Sequence, residues 1–123
     1  AFGHRLDDRT HLLHGGFPWV DDTYALLNEF HNVYSDTCWL PYLSTTAART
    51  FIKTALEVSD CHRLTWGCDT WRAEDSLGAL HAMEHVLSCA LSDMLEDGAI
   101  SLDYAKYIAR RIMRDNAREL FSL

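Results

Sequence analysis

No run of apolar residues in the sequence approaches the roughly 20 that a membrane-crossing helix needs, and no signal peptide leads it. A membrane role is therefore not expected, and the cytoplasm is the expected location. Positive charge is also scarce: 11 lysines and arginines stand against 18 acidic residues, for a formal net charge of -7. A nucleic-acid surface would show a basic patch or stripe. The one basic cluster, Arg110, Arg111 and Arg114, has helix-surface spacing and is interrupted by Ile112 and Met113, so it reads as a solvated helix face. Cysteine pairs are missing too. Cys38, Cys61, Cys68 and Cys89 form no CxxC and sit among apolar residues, as reduced, mostly buried thiols of a cytosolic protein do. Linkers, low-complexity tracts and internal repeats are absent, so residues 1–123 read as a single domain.

What is present is an ordinary globular composition, 48% hydrophobic and 24% charged. Its periodicity changes in an orderly way. Thr10 to His14 (THLLH) is a short apolar run stopped by Gly15, Gly16 and Pro18, as a buried strand would be. From Asp21 the apolar residues Tyr24, Leu27 and Phe30 fall at helical spacing. Asn32 to Asp36 reads as a second strand, followed by a loop over Trp39 to Tyr42. Ser44, Thr45 and Thr46 offer an N-cap for a helix to about Val58, with Ala48, Phe51, Ile52 and Ala55 inward. A third strand spans about His62 to Trp66. A helix over about Ala73 to Glu96, with Leu77, Leu80, Leu87 and Leu91 inward, ends at Asp97-Gly98. Helices from Ser101 and from Arg114 to Leu123 close the chain.

Strand–helix alternation of this kind predicts an α/β fold with three parallel strands and crossover helices. Ligands in such folds gather at the carboxyl ends of the strands. His14, Asp36 and Asp69 stand at or just past those ends. Asp69 lies in LTWGCDTW, between two tryptophans. A carboxylate beside apolar rings is costly unless a cation, a metal or backbone donors pair with it, although Asp69 or Thr70 also suits a helix cap. Asp36 suits either a place facing the site or the holding of its loop through backbone hydrogen bonds, and the second is the expectation.

LLHGGFPW (Leu12–Trp19), NVYSDTCWLP (Asn32–Pro41), RLTWGCDTW (Arg63–Trp71) and RDNARELF (Arg114–Phe121) together resemble amidohydrolase-related proteins. These are metal-dependent hydrolases, decarboxylases and isomerases with a (β/α)8 barrel. The resemblance covers nearly the whole chain and implies the C-terminal part of that TIM barrel, its last three strand–helix units and C-terminal helices. By their motif contexts His14 looks like the family's metal-site histidine of the sixth strand, and Asp69 like the aspartate that ends the eighth. The resemblance implies that both serve as catalytic groups and metal ligands. The implied cofactor is a divalent metal, zinc or alternatively manganese, and the implied activity is attack of metal-activated water on a small-molecule substrate.

The family's first-strand His-x-His has no counterpart, because no HxH occurs in the chain. A full barrel takes about 250 residues, roughly twice this length. The expectation is therefore a C-terminal fragment or reduced relative, in which the metal can be absent and the function reduced to that of a folding or interaction module. Open strand edges also lead us to expect a homo-oligomer or association with another chain.

Further residues have competing readings. Trp39, Tyr42 and Trp71 suit either a pocket wall or packing. Arg72 suits either a substrate-carboxylate clamp or an exposed pair with Glu74 or Asp75. Thus Trp39 and Arg72 are the substrate-binding candidates. His81 to His85 (HAMEH) matches the H-x-x-E-H pattern of inverted zinc proteases, but a third ligand would have to come from the short remainder of the chain. His4, His11, His31 and His62 have no partner at ligand spacing and read as structural or exposed.

Overall fold

The computed structural model describes residues 8–123; His4 lies outside them. The elements in order are β1 (Thr10–Leu12), α1 (Val20–Glu29), β2 (Val33–Asp36), α2 (Leu40–Leu43), α3 (Thr45–Val58), β3 (Leu64–Thr65), α4 (Ala73–Glu96), α5 (Leu102–Arg110) and α6 (Asn116–Phe121). The strands form one parallel sheet in the order β1-β2-β3. Parallel neighbours cannot be joined by a tight turn. Accordingly α1 carries the chain from β1 to β2, and α2 with α3 carries it from β2 to β3.

Several boundaries differ from those expected. β1 stops at Leu12, and His14 falls in a 3-10 turn over Leu13–Gly16. The expected loop WLPY is helical from Leu40 onward. Pro41 sits in that first turn, where its missing N–H would be unpaired anyway. β3 is only two residues long, because Cys61–Arg63 form a 3-10 turn whose cap, Asp60, accepts from the His62 amide at 2.8 Å.

α3 starts as expected. The Ser44 hydroxyl accepts from the Ala47 amide at 3.1 Å, and Ala48, Phe51, Ile52 and Ala55 are buried. Phe51 is fully buried and stacks on Tyr24 with ring centroids 5.6 Å apart, a burial worth about 1.5–3 kcal/mol. In α4 the inward stripe includes Ala79, Met83, Val86, Ala90 and Met94 besides Leu87 and Leu91. Leu77, expected inward, is 57% exposed. The stripe uses small and flexible residues that a reading by leucine alone passes over.

The basic cluster is not one solvated face. Arg111 is buried in a π turn over Arg111–Asp115, and its guanidinium donates two 2.7 Å bonds to the Glu119 carboxylate. Arg110 and Arg114 remain exposed and pair with Asp115.

Register fixes what each sheet face carries. Leu12, Ser35 and Leu64 align across the three strands, with Val33 on the same side, and Leu12, Val33 and Leu64 join the core under the helices. The opposite face presents His11, Tyr34, Asp36 and Thr65. There the His11 Nε2 lies 3.1 Å from the Thr65 hydroxyl, and the imidazole sits edge-on to Phe121 at 5.6 Å. The Thr65 carbonyl accepts from Thr37 on the β2 side, so the Leu64 carbonyl points to the free edge. Asn116 covers that edge by donating to Leu64 at 2.6 Å and to the Cys61 carbonyl.

Candidate functional site

Three chain reversals meet at the carboxyl ends of the strands, and each contains a non-glycine residue in the left-handed region: His14 at φ 59°, Trp39 at φ 62° and Asp69 at φ 51°. Such conformations are uncommon for side chains of this size and persist only where the surroundings hold them. His14, Trp39 and Asp69 carry no direct sign of this strain in the sequence, but the neighbouring glycines mark the crowding around them. Gly15 has φ 63°, and a Cβ there would lie 2.9 Å from the Phe51 ring. A Cβ on Gly67 would lie 2.8 Å from the Cys38 sulfur.

The support for the first two reversals is Asp36, at the end of β2 and only 2% exposed. Its Oδ1 accepts from the His14 amide at 2.8 Å and from the Cys38 amide at 3.0 Å. Its Oδ2 lies 3.5 Å from the His11 Nε2. The loop-holding reading of Asp36 is therefore what the structure displays, and the bond to Cys38, two residues on, is an Asx turn. His11 plays a structural part here.

His14 is half-buried. Its Nδ1 lies 2.8 Å from the Cys38 carbonyl oxygen, which only accepts, so Nδ1 carries the proton in the neutral ring. The opposite nitrogen, Nε2, faces the Asp69 Oδ2 at 3.7 Å. Trp39 stands edge-on against the same imidazole, with centroids 5.6 Å apart. Asp69 does not cap α4: Arg72 occupies the N-cap position without a side-chain bond, and the Thr70 hydroxyl pairs with that of Ser76 at 2.6 Å. The Asp69 side chain is 57% exposed.

Beside this pair lies a cleft of about 130 Å³ whose lining includes Trp39, Tyr42, Asp69, Trp71 and Asp75. Arg72 is exposed, does not line the cleft, and forms no ion pair among the described residues. Trp71 is fully exposed, at the cleft mouth rather than in the core.

All four cysteines are free; Cys61 is buried and the other three are partly so. Burial, with the nearby Asp36 carboxylate as a secondary cause, pushes the Cys38 thiol up to about 12. Cys38 thus serves the site through its backbone, as a protonated thiol.

The remaining histidines stand apart. On exposed turns of α4, His81 Nδ1 meets Glu84 at 3.3 Å, and His85 Nε2 lies 3.8 Å from the Cys89 sulfur. His31 is exposed, and His62 bonds the Tyr107 hydroxyl at 2.8 Å. Among the described residues no group of three or more His, Cys, Asp or Glu side chains converges on one point. The protease pattern therefore has no third ligand among them, and the strand-end site offers a pair.

The family model described as Amidohydrolase matches residues 9–123. No curated protein and no solved structure matches the chain. The matched span takes in all three strands and the helices that follow them, and so includes His14, Asp36 and Asp69. The chain belongs to the amidohydrolase family.

Proposed function

We propose that the chain supplies the last three strand–helix units of a (β/α)8 barrel in a metal-dependent hydrolase, with His14 and Asp69 as its share of the metal and catalytic site. The observation that carries this reading is the facing pair. In the neutral ring the His14 Nε2 is the lone-pair nitrogen, because Nδ1 holds the proton, and the Asp69 Oδ2 faces it at 3.7 Å. Two acceptors that converge without a donor between them suit a shared cation. An imidazole nitrogen and a carboxylate oxygen are ordinary donors to zinc, and zinc is the metal we assign, with manganese the alternative.

A divalent metal, when bound, lowers the pKa of water so that hydroxide exists near neutrality. Asp69, more than half exposed beside the cleft, can carry a proton between solvent and a substrate there. Trp39 lines the cleft and packs on His14, and so restricts both ligand and imidazole. Arg72 would reach a substrate carboxylate from the rim. The substrate is a small molecule.

A catalytic zinc site ordinarily takes three protein ligands, whereas the described residues bring two together. That favours a second reading for the chain by itself: a folded partial barrel that needs further strands, from a longer chain or a partner copy, before it holds metal tightly. Elemental analysis of the purified chain separates the two. Stoichiometric zinc or manganese that is lost in Asp69→Asn supports a working site. Metal that survives Asp69→Asn and His14→Ala would place binding elsewhere and remove the basis of the proposal.

A further inference from the structure

We infer that Asp36 is a positioning residue that selects the tautomer of His14, and so decides which of its nitrogens is offered to Asp69. The inference rests on the reading of His14 and Asp69 as the working pair, but its geometry is independent of any metal.

The argument starts from what a buried carboxylate requires. Asp36 is 2% exposed, and no arginine or lysine pairs with it among the described residues. A carboxylate in that position must be satisfied by hydrogen bonds. It takes them from the backbone, through one oxygen: Oδ1 accepts from His14 N–H at 2.8 Å and from Cys38 N–H at 3.0 Å. One oxygen atom thereby joins the turn after β1 to the turn after β2.

That joint has a geometric result. With both amides on Oδ1, the Cys38 carbonyl comes within 2.8 Å of the His14 Nδ1. A carbonyl has no proton to give, so the ring must place its own on Nδ1. Nε2 is then left as the free lone pair, directed at Asp69. Among the described residues the Cys38 carbonyl is the hydrogen-bond partner of the ring, and Trp39 packs against it in a T-shaped contact. Metal-binding histidines in general have the other ring nitrogen fixed by a carbonyl or carboxylate. Here the carbonyl does so, and the carboxylate holds the carbonyl in place.

His11 marks the other side of the same carboxylate. Its Nε2 is 3.5 Å from Oδ2 and 3.1 Å from the Thr65 hydroxyl, so Oδ2 is directed away from His14. The division of labour between the two oxygens predicts that an amide can replace the carboxylate, provided its oxygen takes the Oδ1 position.

The experiment is nitrogen-15 NMR of the histidine side chains in the metal-free full chain, at a pH where the rings are neutral, with His14 assigned by His14→Gln. In the wild type the expected result is a protonated Nδ1 and an unprotonated Nε2. Asp36→Ala is expected to move the unprotonated signal from Nε2 to Nδ1, and Asp36→Asn to retain the wild-type pattern. A simple structural role would shift stability in both variants without exchanging the two nitrogens. A wild-type ring protonated at Nε2 overturns the inference. So does a folded Asp36→Ala with the wild-type tautomer, or an Asp36→Asn that switches. The wild-type and Asn spectra can still overturn the inference even where the alanine variant does not fold. Because no metal is added, failure here is separate from failure of the metal reading, which elemental analysis tests.

Discussion

The side-chain amide of Asn116, at the start of α6, bonds to the Leu64 carbonyl on the free edge of β3 at 2.6 Å and spans to the Cys61 carbonyl as well. The chain's own C-terminal segment thus pairs the carbonyl that β3 turns to its outer edge. Asn116→Ala removes its hydrogen bonds to both the Cys61 and the Leu64 carbonyl, and each bond lost at a buried carbonyl costs about 1–3 kcal/mol. We expect a loss of about 2–4 kcal/mol in urea unfolding, and self-association that grows with concentration as the edge is uncovered. A variant that keeps wild-type stability and the wild-type association state would show the cap to be incidental.

Three glycines form a graded series. Gly78 lies inside α4 with open space where a Cβ would go, so Gly78→Ala should stabilise by about 0.5–1 kcal/mol. Gly98 is at φ 72° with equally open space. Gly98→Ala should cost about 1–2 kcal/mol for the left-handed backbone alone. Gly15 adds the close approach to Phe51, so Gly15→Ala should cost about 2–4 kcal/mol. Chemical denaturation of the three variants checks the order, and equal effects at 15 and 98 would refute the claimed crowding.

Acid should weaken the contact between α3 and α4. Hydrogen bonds from Arg49, then from Lys53, hold the Asp93 carboxyl down at about 2, below its ordinary value of 3.8. A carboxyl whose folded value is depressed stabilises the fold above its unfolded value and loses that contribution as pH falls towards the folded one. The window is therefore from about pH 4 down to about 2. Unfolding measured across it should show a shallower acid limb in Asp93→Asn than in the wild type, and superimposable limbs would refute the assignment.

The Arg111–Glu119 pair has one sheltered and one open end, with side-chain exposures of 10% and 66%. Removing the outer carboxylate leaves a sheltered guanidinium without its counter-charge, whereas replacing the arginine by a thioether removes the charge itself. Glu119→Gln should therefore destabilise more than Arg111→Met. The reverse order in thermal unfolding would mean that the guanidinium is satisfied without Glu119.

Much of this was legible in the sequence, for reasons that lie in particular residues. Ser44 announced α3 because a cap is a local signal, and Asp36 and Asp69 announced strand ends because carboxylates rarely sit inside strands. Leu77 misled because leucine signals a core only when its register fits, and the alanines at 79 and 90 set the register of α4 without large side chains. Arg111 was misread because its shelter comes from a π turn, which shifts the helical period by one residue and leaves no compositional trace. The convergence of His14 and Asp69 could be expected only in outline. The 3.7 Å approach depends on three turns at positive φ; histidine and aspartate tolerate that region, but Trp39 does not look like a residue that adopts it.

The strand order has a dynamic consequence. β2 is the middle strand of the sheet, so the backbone pairing of β1 and β3 runs through it, and His11–Thr65 is the side-chain bond that joins the outer strands directly. A fluctuation that frays β1 or β3 removes one member of the facing pair for a moment and leaves the other seated. An excursion that opens β2 releases Asp36 together with both neighbours and scatters His14 and Asp69 at once. The lifetime of the assembled pair is therefore capped by the opening rate of a four-residue strand, and amide exchange at Ser35 and Asp36 is the clock that would read it.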